Sequence, residues 1–333
     1  MSTRSQCVLR LQSSMTAGDV LVSVVIVSWN CRAYVLQCIS SLYAGGNVPT
    51  IEIIVVDNAS TDGTAEAIVA QFPGVTLIRN EHNVGFSRAN NIALQLSHGQ
   101  YICLINADVV VPSGCIQKMI AYLNEHPDVG LLGPQMLCPN GRMGDAVMRF
   151  PTVWSTFCCA LGLHRLFPAS AVLGGFVMAG FDSTTTQDVE VLTGWFWMTR
   201  REAFRQVGGL DEQFFMYGED IDWCYRFHRA GWRVVFYAEA GALHYCAASS
   251  SNSPQRFYVE MQRANLQYFR KHHGWAGRAG YWAARWIHEA VRIAGFGLIY
   301  LLRTSRRADA AFKISRGVAC IGFLTGLRTN SVK

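Results

Sequence analysis

Short, nearly unbroken apolar runs alternate with amphipathic stretches along the first part of the chain. Val22–Ser28 reads VSVVIVS, Ile51–Asp57 reads IEIIVVD, and 75–79 and 100–106 have the same character. Continuous β-branched runs of this length fit strands covered on both faces. Between them, 32–43, 64–72 and 86–97 carry the mixed apolar and polar spacing of helices. The β-α-β-α-β order predicts an α/β fold with a mostly parallel sheet and right-handed crossovers. Ligands of such sheets sit beyond the carboxyl ends of the strands. The polar stretches 28–30, 57–62, 80–85 and 106–108 fall at those ends, so the functional edge is already visible in the pattern.

The pattern then changes. Pro139-Asn140-Gly141 predicts a hairpin turn. From 150 to 181 only His164 and Arg165 interrupt apolar and small residues. The connection 150–188 is long enough to be a flap over a binding site, and its apolar content equally suits a buried helix pair. A strand is expected over 189–198 and a break at Gly208-Gly209. A helix follows from Glu219 to Ala230, stopped by Gly231, and another strand covers 233–237.

Composition narrows the class. Of 333 residues, 50% are hydrophobic and 16% charged, which excludes a disordered chain and permits a large core. Residues 1–20 lack a continuous apolar stretch and a small-residue cleavage site, so they are expected to be an extension rather than a signal peptide. Eleven cysteines without a C-x-x-C pair suit reduced thiols in the cytosol better than a disulfide framework or a zinc site. The net charge of +6 is uneven: residues 256–333 hold fourteen Lys and Arg against three acids, +11, which leaves −5 for residues 1–255. A slightly acidic body argues against a nucleic-acid binder. The basic tail contains 281–302, where Arg285, His288, Glu289 and Arg292 interrupt the apolar sequence before a run too short to cross a bilayer. Arg278, Arg285 and Arg292 recur every seven residues beside Trp282 and Trp286. This predicts a basic amphipathic helix lying on an anionic membrane surface, with a solvated basic face on a packed helix as the alternative.

Three places carry candidate chemistry. Asn106-Ala107-Asp108 ends a buried strand, where a carboxylate can hold a Mg²⁺ or Mn²⁺ ion shared with phosphates, or merely form an Asx turn. Glu219, Asp220 and Asp222 crowd a helix start, a setting for a general base as well as for a capped, solvated acidic face. His244 follows a strand and suits either a Mn²⁺ site or a half-buried packing role. G-x-G-x-x-G, Walker A, H-E-x-x-H and G-x-S-x-G patterns are all missing, which removes the main support for a dehydrogenase, a P-loop NTPase, a zincin and an α/β-hydrolase.

In order along the chain stand VVIVSWN (24–30), VVDNASTDG (55–63), NVGF (83–86) with Asn90-Asn91, NAD (106–108), Thr193-Gly194, GGLDE (208–212) and FFMYGEDID (214–222). This series resembles family 2 glycosyltransferases, and its later motifs resemble their rhamnosyltransferase-like branch. The resemblance covers 22–245 and implies the GT-A fold: a glycosyltransferase domain over 21–250, with a nucleotide-binding half at 21–137, an acceptor half at 138–250 and a tail at 251–333. It implies an inverting, metal-dependent transfer from a nucleotide-sugar donor, with dTDP-rhamnose among the donors such motifs serve. The implied acceptor is a saccharide or lipid-linked saccharide of a cell-surface polysaccharide, handled at the inner face of the cell membrane. Matching residues assign Ser28, Asn30, Asp57, Asn58, Asn83, Gly85, Asn106 and Asp108 to the donor, and Trp195, Asp220 and Asp222 to the acceptor. They assign Asp220 as base with Glu219 in support, and Asp108 with His244 to the Mg²⁺ or Mn²⁺ ion. Asn106 and Ala107 depart from the D-x-D and N-P-D forms of the family motif, which weakens the expected metal ligation. The resemblance leaves a homodimer open. An inactive binding protein of the same fold and a sugar-phosphate nucleotidyltransferase are the alternatives; the latter usually carries a glycine-rich loop, and 26–32 has no glycine.

Overall fold

The computed structural model describes residues 7–9, 20–44, 51–168, 170, 172–174, 176, 178, 181–246 and 253–326. The chain divides into two compact units, Met1–Met148 with Asp182–Ser251, and Arg149–Phe181 with Asn252–Lys333. The strands are β1 (Cys7–Leu9), β2 (Val22–Ser28), β3 (Ile51–Asp57), β4 (Thr76–Arg79), β5 (Tyr101–Asn106), β6 (Val109–Val110), β7 (Val129–Leu137), β8 (Val147–Met148), β9 (Gln187–Asp188), β10 (Val191–Leu192), β11 (Phe196–Arg200) and β12 (Arg233–His244). The helices are α1 (Arg32–Ala44), α2 (Thr64–Gln71), α3 (Phe86–Leu94), α4 (Cys115–Glu125), α5 (Val153–Ala160), α6 (Leu163–Leu166), α7 (Arg201–Val207), α8 (Glu219–Arg229), α9 (Pro254–Leu302) and α10 (Arg307–Leu324).

The first unit is built on one sheet in the order β1-β4-β3-β2-β5-β11-β7-β12-β6, with β9 on β12. β4, β3, β2 and β5 are parallel neighbours, as their apolar runs predict, and β11 enters antiparallel between β5 and β7. Val24, Val25, Ile26 and Val55 are fully buried, and on the far side of the sheet Trp197, Trp223 and Phe227 pack ring against ring. Register then decides what meets at the functional edge. Ser28 lies opposite Asp57, and Val27 opposite Asn106, so the first three polar strand ends sit side by side.

Two expectations change here. Residues 189–198 do not form one strand: β10 pairs with β8 in a separate two-stranded sheet, and a turn at 193–195 redirects the chain into β11. The last strand runs on to His244, past an irregularity between Tyr237 and Gly241, and pairs His244 with Val109 beside the 106–108 loop.

The second unit is helical. Thr152 caps α5 in a reciprocal box with Ser155, and 150–188 therefore opens with two helices rather than an irregular loop. α9 is interrupted at Gly274, whose φ of 65° no longer continues a helix. α10 folds back on α9, and the Trp282 indole donates to the Leu324 carbonyl at 2.9 Å. No helix of the described residues is long and apolar enough to cross a membrane.

Candidate active site

At the β3 end, Asp57 is 1% exposed and its Oδ1 has no hydrogen-bond partner. Burial pushes its carboxyl up, against hydrogen bonds from Ser60 and the charge of Arg79. A buried acceptor left open at a strand end invites a donor from outside the chain, such as a ring N–H of a nucleobase. Asn30 adopts the left-handed region, φ 47°, and ties this loop down: its Oδ1 accepts from Thr61 N at 2.8 Å and its N–H donates to Ser60 Oγ at 2.9 Å.

Several expected donor contacts serve the scaffold instead. Ser28 is fully buried, with its Oγ 3.3 Å from Cys31 Sγ. Asn58 donates to Asn83 Oδ1 at 2.8 Å and accepts from Asn80 Nδ2 and Val84 N, each at 3.0 Å. Asn83 Oδ1 also accepts from Gly85 N at 2.9 Å. With those atoms satisfied internally, Ser28, Asn58 and Asn83 shape the edge and do not face a ligand through them. Gly85, φ 88°, is required by close packing: a Cβ there would lie 2.5 Å from the Phe215 carbonyl, which accepts from Phe86 N at 2.6 Å.

Beyond β5, Asp108 and His244 are 7% and 8% exposed, with His244 Nε2 3.1 Å from Asp108 Oδ1 and 3.5 Å from Asn106 Nδ2. The β6–β12 pairing makes this meeting possible, since His244 is opposite the residue after Asp108. Trp195 was expected on the acceptor; it is 3% exposed and stacks on His244 at 5.4 Å between centroids, so it fixes the imidazole. Among the described residues no group of three or more His, Cys, Asp or Glu side chains is placed to hold a metal ion. The Asp108–His244 pair nevertheless fits a cation that takes its other oxygen ligands from substrate phosphates, which is the habit of Mg²⁺ and Mn²⁺.

Gly218, φ 77°, starts α8 and places Glu219, Asp220 and Asp222 in its first turn. Glu219 is 5% exposed, and its Oε2 has no partner. Burial, then the Asp220 charge, pushes the Glu219 carboxyl well above the carboxylate range. Burial also raises Asp220, but N–H groups of Ile221 and Gly194 oppose the rise, the Ile221 bond being 2.9 Å. Both carboxyls are thus raised by burial, and the backbone N–H groups hold the rise of Asp220 back. Asp222 is fully buried and pairs with Arg226 Nε at 2.9 Å. Arg226 in turn donates to the Val207 and Gly209 carbonyls, so this ion pair clamps the 207–209 turn. Asn91 holds the same turn from the other side, through Leu210 N and O.

The 193–195 turn joins the two carboxylate centres. Gly194 approaches Asp220, where a Cβ would sit 3.4 Å from the Asp220 Cβ, while the next residue stacks on His244 and accepts from Asn106 N at 2.9 Å. Asp220 and the Asp108–His244 pair are thus linked through one short backbone segment. The T-G pair marks this turn in the sequence, but nothing in spacing alone shows that Gly194 and Trp195 touch different centres.

The family model described as "Glycosyl transferase family 2" matches residues 23–208. An N-acetylglucosaminyl-diphospho-decaprenol L-rhamnosyltransferase of Mycobacterium tuberculosis is 29% identical over 290 residues, covering 80% of this chain and 89% of the relative. An O-antigen biosynthesis protein of Myxococcus xanthus is 27% identical over 235 residues, 68% of this chain but 17% of that protein. Among solved structures, a mannosyltransferase of Pyrobaculum calidifontis in complex with GDP-Man and Mn²⁺ superposes with a TM-score of 0.52 at 17% identity, covering 93% of this chain and 87% of that one.

Proposed function

The chain belongs to glycosyl transferase family 2 and has the GT-A fold, and from that premise we propose an inverting transfer of a deoxyhexose, rhamnose foremost, onto a lipid-linked saccharide in cell-surface polysaccharide synthesis. The observation that carries the mechanism is the Asp220 carboxyl adjoining the buried Glu219 at the start of α8, tied through 194–195 to the Asp108–His244 pair. Asp220 takes the proton from the acceptor hydroxyl as that oxygen attacks the anomeric carbon. The bond from that carbon to the diphosphate oxygen breaks in line, and the configuration inverts. Asp57 holds the nucleobase through its open Oδ1, with Asn30 bracing the loop. Asp108 and His244 would hold a divalent cation, Mg²⁺ or Mn²⁺, which supplies positive charge against the departing diphosphate when bound. Within the first unit, residues 21–137 with His244 serve the donor, and the remainder up to 250 the acceptor.

The rhamnose assignment rests on the Mycobacterium relative, whose name also specifies a lipid diphosphate acceptor. Docking at a membrane is supported by exposed apolar side chains in the second unit: Trp275, Leu301 and Leu302 are 67%, 70% and 72% exposed. The test is a thermal-shift panel of nucleotide sugars with and without Mn²⁺, followed by transfer to a lipid-linked acceptor and determination of the product's anomeric configuration. Stabilisation by dTDP-rhamnose and an inverted product are expected. Retention of configuration would overturn the mechanism, and selective stabilisation by a different donor would overturn the sugar.

A further inference from the structure

The second unit encloses a cavity of ≈ 210 Å³ that the transfer chemistry does not use. One wall is cationic and polar, formed by Tyr258, Arg285, His288 and Arg292. The Arg285 and Arg292 guanidinia both donate to the Tyr258 hydroxyl, Arg292 Nη1 at 2.7 Å. Arg316 lies over the same ring, 4.2 Å from its centroid. The lining also includes the apolar side chains of Met261 and Phe269 and the Tyr281 ring.

Charge does not balance around this cavity. Three guanidinium groups meet at Tyr258, and the one carboxylate among them is the fully buried Glu289, which accepts from Arg285 at 2.5 Å. The other acids of the unit's described residues are engaged elsewhere, Glu260 with Arg263 and Asp309 with Lys313. Two positive charges remain, and Arg285 Nε is buried with no hydrogen-bond partner. Arg292 and Arg316 are half-buried, Glu289 Oε2 is an open acceptor, and the buried Arg285 Nε is an orphaned donor that an anion can complete. Guanidinium groups converging from two turns of one helix suit a phosphate, whose oxygens take several N–H donors at once. The volume is below the roughly 300–1,000 Å³ of sites that enclose a whole drug-sized ligand, so it admits a headgroup and the first part of an apolar chain.

We propose that this cavity binds the phosphate or diphosphate headgroup of an isoprenoid or acyl amphiphile, with a chain leaving past Met261 and Phe269. The inference deepens the lipid-linked acceptor reading and rests on it for biological meaning, but the binding itself can be measured without sugar transfer.

The experiment is calorimetry on the full chain in EDTA with four probes: farnesyl diphosphate, dioctanoyl phosphatidate, inorganic pyrophosphate and farnesol. At least one of the two amphiphiles should bind about tenfold or more tightly than pyrophosphate, and farnesol should not bind. Farnesyl diphosphate in the lead identifies an isoprenoid source, and phosphatidate in the lead a membrane-lipid source. Arg292→Gln should weaken the amphiphile about tenfold or more, the order of one charge-assisted hydrogen bond. Met261→Trp, at a position 39% exposed, should block the chain while sparing pyrophosphate. Both variants should keep the parent's affinity for nucleoside diphosphate with Mn²⁺, which reports an intact first unit. Undiminished amphiphile binding in both variants, or binding of pyrophosphate as tightly as of the amphiphiles, would overturn the proposal. Transfer to a water-soluble saccharide with no amphiphile binding would remove this site and leave the glycosyltransferase mechanism standing.

Discussion

Asp220→Asn isolates the proposed base with little disturbance to the fold. The side chain keeps its shape, and an amide oxygen can still accept from Ile221 N, which the carboxylate does at 2.9 Å. What it loses is the capacity to take a proton. General bases contribute on the order of 10²–10⁴-fold, so kcat should fall by at least ~100-fold, about 2.7 kcal/mol of barrier. Donor affinity should be nearly unchanged, because the proposed nucleotide contacts are Asp57 and Asp108. The assay measures kcat at saturating acceptor together with calorimetric donor binding, and repeats both across pH. Burial raises Asp220, so activity of the parent should fall as pH drops through a value above the ordinary carboxylate pKa. The variant should lose that acid limb.

Glu219→Gln is the control that makes the result interpretable. If Glu219 is already neutral, a neutral isostere should keep kcat within about tenfold. A raised folded-state pKa means that the native state binds more protons than the unfolded chain between the two values. Stability of the parent should therefore fall as pH rises from the ordinary glutamate value towards the raised one, and the Gln variant should lack this term. Near-normal turnover of Asp220→Asn, or a loss in Glu219→Gln as large as in Asp220→Asn, would refute the division of roles.

Asp108→Ala should weaken nucleoside diphosphate binding and remove most of its Mn²⁺ enhancement in calorimetry; equal enhancement in parent and variant would place the cation elsewhere. Asp57→Ala should cost about 10- to 100-fold in donor affinity, the order of a hydrogen bond to a charged group, with kcat at saturating donor retained. Gly85→Ala combines a φ of 88° with a Cβ 2.5 Å from the Phe215 carbonyl, so urea denaturation should show a loss of about 1–3 kcal/mol. Leu301→Ser with Leu302→Ser should reduce co-sedimentation with anionic liposomes, and identical partitioning would discount these residues as a membrane contact.

Much of the first unit was legible because its local rules agree with one another. β-branched runs and strand-end polar residues both pointed to one mostly parallel sheet with its polar residues gathered on one edge. Less legible was the use to which each polar residue is put. Asn58 and Asp57 are neighbours with similar prior claims on a nucleotide, yet one has its amide satisfied by Asn80, Asn83 and Val84 while the other keeps an open oxygen. Likewise Asp222 is two residues from the proposed base but belongs to Arg226, because residues two apart on a helix point in different directions while those three or four apart meet. Such distinctions depend on partners brought from distant segments, and a linear spacing rule does not carry them.

The helical unit shows the same limit at a larger scale. Arginines seven apart define one helix face, and a basic face reads most simply as one presented to solvent or to anionic lipid. Instead, Arg285 and Arg292 turn inwards onto Tyr258, and Glu289, four residues beyond Arg285, supplies the internal counter-charge. The spacing identified the face, and the partner was set by α9 breaking at Gly274 so that its two halves meet. Tyr258 comes from the first half and both arginines from the second, and Arg316 arrives from α10. Positive charge that seemed available to a membrane is thus partly drawn into the unit, where it can select a single phosphate group. The exposed Trp275, Leu301 and Leu302 are left as the part suited to an apolar surface. Separating these two roles also separates their salt responses: amphiphile capture by the cavity should persist when salt is raised, while attraction to an anionic bilayer through the outward-facing charges should weaken. Vesicle co-sedimentation and calorimetry run at about 0.1 and 0.5 M salt would read the two effects independently, and equal attenuation of both would mean that one exposed charge pattern accounts for all of the binding.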